Sequence, residues 1–176
     1  MAGIQIPQTD YEQTPTTFAA GMPARPLGNG ETVEHFVASV DIDPGTLVEV
    51  VNGAVRPAQS LNGALKPLVG VALRMLTHTN ATSFSPPFTT WKAGQQVPVM
   101  RKGRIYAKWS GTTQPEYGKL NYSHSSDGTH NQGVFTDAAT ASTAGAEVDN
   151  CPNGVLSVKS TGSTSVCLVE LNLPAG

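Results

Sequence analysis

From residue 31 onward, apolar residues recur at every second position in short stretches separated by turn residues, the signature of half-buried strands. The alternation predicts strands over residues 33–40, 47–51, 68–76, 96–100, 104–109, 154–158 and 165–173. In 68–76, Val69, Val71 and Leu73 share one face and Gly70, Ala72 and Arg74 the other. In the last strand Cys167, Val169, Leu171 and Leu173 alternate toward a core. Asp43-Pro44-Gly45 presets turn angles, and Asn52-Gly53 and Asn62-Gly63 are strong hairpin signals. Residues 96–100 and 104–109 read as a pair of strands flanking a Lys102-Gly103 turn. Pro98 has no N–H to donate, so its strand lies at an edge or turns that side away from a neighbour. Residues 77–90, broken by Pro86 and Pro87, read as a loop, and 111–133 as a long polar excursion of the functional or mobile type. Residues 138–145 read as a flexible tip or a single helical turn.

About seven to nine strands at intervals near ten residues, with no crossover helices, predict an all-β fold: a small antiparallel β-sandwich or barrel. Composition agrees. Glycine (18) and proline (13) exceed a sixth of the chain, and neither suits helix interiors. Residues 1–30 stand apart. Pro7, Pro15, Pro23 and Pro26 punctuate them, and neither helical nor sustained strand periodicity is present. They predict an extended N-terminal arm ahead of a β domain at 31–176, which carries a long polar loop at 110–150. Ile4, Ile6, Tyr11, Phe18, Met22 and Leu27 give the arm an apolar content that a solvated linker does not need. It gains by laying those residues on a surface, either its own domain or a neighbouring subunit.

Charge narrows the function classes. The formal net charge of −2 leaves no basic excess for phosphates, and no apolar run is long enough for a membrane helix. Nucleic acid and membrane are therefore not expected partners. The first ten residues lack a cationic start and apolar core, so no secretory signal is read and synthesis in the cytoplasm is expected. Lys92, Arg101, Lys102, Arg104 and Lys108 gather with Trp91, Tyr106 and Trp109 in one predicted hairpin, residue types favoured where proteins dock on one another. The alternative is ordinary solvation of a hairpin tip. Cys151 and Cys167 read as reduced, partly buried thiols, with their pairing left open by the sequence. No nucleophile elbow or phosphate-cradling loop occurs, so no enzyme and no cofactor is predicted. His124, Asp127 and His130 have ligand chemistry without a compelling set. Asp41 and Asp43 read as strand-end and turn acids. Trp91, Trp109, Tyr117 and Tyr122 are the stacking candidates of an alternative function, a carbohydrate- or host-surface-binding β module.

Five stretches then occur in a telling order: TPTTFAAGMPA (residues 14–24), VASVDIDPGTLVEVVNG (37–53), PLVGVALRM (67–75), KAGQQVPVMRKGRIYAKW (92–109) and CLVELNLP (167–174). Together they resemble the capsid decoration, or structural cement, proteins of tailed bacteriophages. The resemblance spans most of the chain except residues 110–150. It implies a non-enzymatic β-rich protein on the outer surface of the virion capsid. Such a protein clamps neighbouring major capsid subunits and forms a small homo-oligomer, a trimer first and a dimer second. The residues expected at capsid or subunit contacts are Ile4, Ile6, Tyr11, Phe18 and Met22 of the arm, with Trp91, Arg101, Lys102 and Arg104 of the basic segment. An extended arm can add a strand to a neighbour's sheet edge, and many copies on one lattice make moderate contacts persistent.

Overall fold

The computed structural model describes residues 19–24, 30–59, 68–74, 90–111, 118–124, 131–136, 148–151, 155–159 and 165–173. Among them are eleven strands and no helix: β1 (Thr32–Ala38), β2 (Leu47–Val51), β3 (Ala54–Pro57), β4 (Leu68–Ala72), β5 (Gln96–Lys108), β6 (Gly118–Lys119), β7 (Asn121–Ser123), β8 (Val134–Thr136), β9 (Val148–Asn150), β10 (Val155–Lys159) and β11 (Val166–Asn172). The fold is all-β, as the alternation predicts.

Five strands close a barrel in the order β1, β3, β2, β4, β5 and back to β1. Asn52 adopts φ 52° in the turn between β2 and β3, and Val51 stands opposite Ala54, as the Asn-Gly signal predicts. The expectation of a purely antiparallel sheet is corrected at one seam. There β1 runs parallel to β3, with Val37 opposite Ala54 and Ala38 opposite Val55. The reason is geometric. Direction reverses at every antiparallel contact, so a closed ring with an odd number of strands needs at least one parallel pair.

A second correction concerns β5. The expected pair of strands around Lys102-Gly103 is one strand of 13 residues. Its first half pairs with β1 and β4 in the barrel, and its second half pairs with β11, from Val166 opposite Lys108 to Asn172 opposite Lys102. Gly103 marks the crossover. It adopts φ 128°, and a Cβ there would lie 2.8 Å from Glu31 Cγ. An isolated glycine within alternating apolar residues signals a bend as well as a turn, and here the chain bends without reversing.

The bend carries β5 from one core to another. Val97 and Val99 point into the barrel interior with Ala38, Ile42, Val48, Val55, Val69, Ala72 and Trp91. Ile105, Ala107 and Trp109 belong to an outer core with Leu47, Val71, Tyr122, Phe135, Cys167, Val169 and Leu171. Beyond β11 the sheet continues through β10 to β6, and β8, β7 and β9 form a separate three-stranded sheet. The stretch at 110–150 is thus not a loop throughout. It contributes four strands, and its Leu120, Tyr122 and Phe135 are buried in the outer core. Residues 60–67, 75–89 and 137–147, which include Asn62-Gly63 and most of the expected 77–90 loop and 138–145 tip, lie outside the described residues.

Candidate functional site

The end of the arm is built into the sheet. Gly21 N–H donates to Tyr106 O (2.7 Å), Tyr106 N–H to Met22 O (2.9 Å), and Ala24 N–H to Arg104 O (2.8 Å). Pro23 stands opposite Ile105. Gly21 and Met22 both face Tyr106, a bulge in which glycine takes φ 82°. A Cβ on Gly21 would come within 2.6 Å of Pro44 Cβ and 2.8 Å of Arg74 N, and Arg74 N–H donates to Gly21 O (2.8 Å). This segment covers β5 where β1 has ended, leaving no bare edge there. Two residues further along β5, Lys108 N–H donates to Gly45 O (2.9 Å), so Gly45 takes over the edge there. Met22 is half-buried in this arrangement. Ile4, Ile6, Tyr11 and Phe18 lie outside the described residues.

The basic segment does not form an open positive patch. Arg101 Nη1 donates to Glu34 Oε2, Arg104 Nε to Glu170 Oε2 and Lys92 Nζ to Asp41 Oδ2, each at 2.8 Å. Lys108 Nζ donates to Asp43 Oδ2 at 2.5 Å. Lys102 is exposed. The first two pairs sit across strand neighbours and the last two tie the 41–46 connection to the flanks of β5. Asp41 is held below the ordinary carboxylate range by the Lys92 bond and then by Ala93 N–H, and Lys92 is raised by the same partner. For Asp43, burial works to raise the carboxyl, but bonds from Lys108 and from Thr90 Oγ1 (2.6 Å) together carry it below that range. Asp41 and Asp43 thus fasten the connection as well as opening the turn.

Burial sorts the aromatic candidates. Trp91 is 6% exposed and its Nε1 donates to Leu73 O (2.9 Å). Trp109 is 4% and Tyr122 2% exposed. Three of the four sugar-stacking candidates therefore fill their own cores and offer little ring face to a ligand, and Tyr117 lies outside the described residues. Arg101 is likewise buried beside Glu34, so Trp91 and Arg101 present little surface to a partner, whereas Arg104 and Lys102 are exposed.

No catalytic grouping emerges from the described residues. An open cleft of about 380 Å³ is lined by Glu31, Lys102, Arg104 and Glu170 with backbone of β5 and β11, and it contains no Ser, Cys or His nucleophile or base. No three His, Cys, Asp or Glu side chains among the described residues gather to hold a metal. His124 is buried, and Asp127 and His130 lie outside the described residues. Cys151 and Cys167 are buried, reduced thiols, and burial pushes the Cys167 thiol up to about 12. The sequence reading missed Gly21, Arg74 and Gly45 as the fittings of the arm. Its only hint was a glycine ahead of Pro23.

Comparison with known proteins agrees with this geometry. A profile of the phage family described as structural cement protein (E217 gp24/Pam3 gp6) matches residues 6–172. No curated protein sequence matches. A solved chain from the structure titled "The capsid of Myoviridae Phage XM1" shares the fold with a TM-score of 0.62. It is 17% identical over 88% of this chain and 90% of that chain. The chain belongs to the structural cement protein family of phages.

Proposed function

We propose that this member of the structural cement family binds the outer surface of a phage head and clamps neighbouring major capsid subunits without catalysing a reaction. The arm is the gripping element, with Ile4, Ile6, Tyr11, Phe18 and Met22 entering apolar pockets of neighbours and Lys102 and Arg104 flanking the contact. The protein acts as a small homo-oligomer, a trimer in the first instance. The observation that carries this reading is the family match across residues 6–172. It is supported by the sheet pairing of residues 21–24, which ties the apolar, proline-punctuated stretch before them to the longest strand of the domain.

The structure also dictates how the reading is tested. Removing residues up to 26 strips hydrogen-bonded backbone from β5, so the informative truncation stops at residue 18. Purified full-length and Δ2–18 proteins are added to heads lacking the cement protein, and occupancy is counted by cryo-EM. Full-length protein is expected to decorate the shell. The truncated protein is expected to remain folded and to lose at least tenfold in occupancy. Equal decoration by both would remove the arm from the mechanism, and absence of decoration by the full chain would overturn the reading.

A further inference from the structure

We infer that Gly21 is a positioning residue: the latch it forms with Met22, Tyr106 and Arg74 sets where the arm leaves the domain and passes tension on the arm into β5. The inference rests on the proposed head-binding role of the arm.

The register is the first argument. Pro23 opposes Ile105 and Thr32 opposes Lys102, so nine steps along the arm side cover three along β5. Residues 21–24 and β1 are therefore two parts of one antiparallel partner to β5. The arm end is an extension of the barrel's own pairing. It does not begin at the domain boundary near residue 30.

The second argument is the exclusivity of the seat. At Gly21 the positive φ, the 2.6 Å approach to Pro44 and the 2.8 Å approach to Arg74 N each bar a side chain. The arm can thus be seated in one register only, because a slip by one residue would put Ala20 or Met22 in that place. Gly45, bonded to Lys108 N–H and donating to Ala72 O (2.7 Å), blocks the edge beyond and makes the exit point unique.

The third argument is mechanical. β5 is the strand shared by the barrel and the outer sheet, paired with β1 and β4 in its first half and β11 in its second. Backbone bonds of an antiparallel partner lie across the strand axis. A pull on the arm along that axis loads the latch bonds together, and β5 spreads the force into both sheets. A fixed seat also fixes the point from which the preceding chain starts, as the anchor of a short tether does for a second binding event.

The test uses the full-length chain with Gly21→Val. Amide exchange should accelerate at least tenfold at Tyr106 and Ala24, with Ala38 in the barrel unchanged. Head occupancy should fall at least fivefold. A cross-strand disulfide from Ala24→Cys with Arg104→Cys, placed opposite one another by the register, is added to the Gly21→Val chain. Oxidised, it should restore occupancy to the level of the same disulfide in the Gly21 chain, which also lacks Arg104, and reduction should abolish the rescue. The same disulfide in the Gly21 background controls for the loss of Arg104. Unchanged occupancy with a deprotected Tyr106 amide would overturn the inference, as would failure of the oxidised lock to rescue. Either result leaves the arm reading intact, because that stands or falls with Δ2–18.

Discussion

The two cores of the molecule are made differently. The barrel interior is lined chiefly by small and β-branched side chains, Val48, Val55, Val69, Ala72, Val97 and Val99, with Trp91 as the one ring among its buried residues. The outer core holds the aromatic bulk of Trp109, Tyr122 and Phe135, and draws on residues from Leu47 to Leu173. A ring of five strands encloses little space, so small residues fill it. The gap between barrel wall and outer sheets is wider, and rings fill it. The first core follows from alternation within strands. The second needs segments that, taken singly, look polar.

This contrast can be broken most forcefully at Phe135, which is fully buried against Tyr122 on the neighbouring strand. Phe135→Ala is expected to cost about 3–5 kcal/mol, read from urea midpoints. Amide protection should fall first in β7 and β8 while β1 to β4 and the first half of β5 stay protected. Simultaneous loss in the barrel would show that the two cores unfold as one unit.

The bend joining them is the next target. Gly103→Val places a side chain at φ 128° against Glu31, and such backbone strain costs roughly 1–3 kcal/mol. Near-UV circular dichroism should report a disturbed Trp109 environment alongside the lower urea midpoint. An unchanged midpoint would mean that β5 passes between cores without needing glycine.

The smallest effect is expected where charges fasten the 41–46 connection. The folded state depresses Asp43, so its contribution is present above the unfolded carboxylate value near pH 4. It is lost as pH falls through the lower folded value. Asp43→Asn should cost less than about 1 kcal/mol at pH 7, because the pair is partly exposed and screened. As pH falls below the unfolded carboxylate value, the difference between variant and parent should shrink toward zero. A gap that does not narrow on acidification would assign the effect to packing at Thr90 instead of to charge.

The all-β class and the strands at 47–51 and 165–173 were legible because period-two alternation and Asn-Gly chemistry act through neighbours in the chain. Residues 1–30 read as a separate arm, yet residues 21–24 belong to the sheet, and residues 1–18 and 25–29 lie outside the described residues. The same local signals misread Gly103, since a glycine that bends a strand and one that reverses it look alike until partners on both sides are known. They also missed the strands in 110–150, whose two- and three-residue lengths give alternation too little room to show.

Candidate site residues fared according to the same division. Residue types alone proposed a cationic aromatic surface at 91–109, and residue types do not say which way a side chain faces. Strand pairing decided that Trp91 and Trp109 are buried and that Lys92, Arg101, Arg104 and Lys108 meet carboxylates more than fifty positions away. Glu49, lying within a strand that reads as apolar, is fully buried against Arg56 on the adjacent strand. Local sequence determined which segments extend and where they turn, because backbone preference and pleat are short-range. Closure of an odd ring, the parallel seam, the passage of β5 between cores and the seat for Gly21 were decided only by tertiary structure, because each depends on which strands become neighbours.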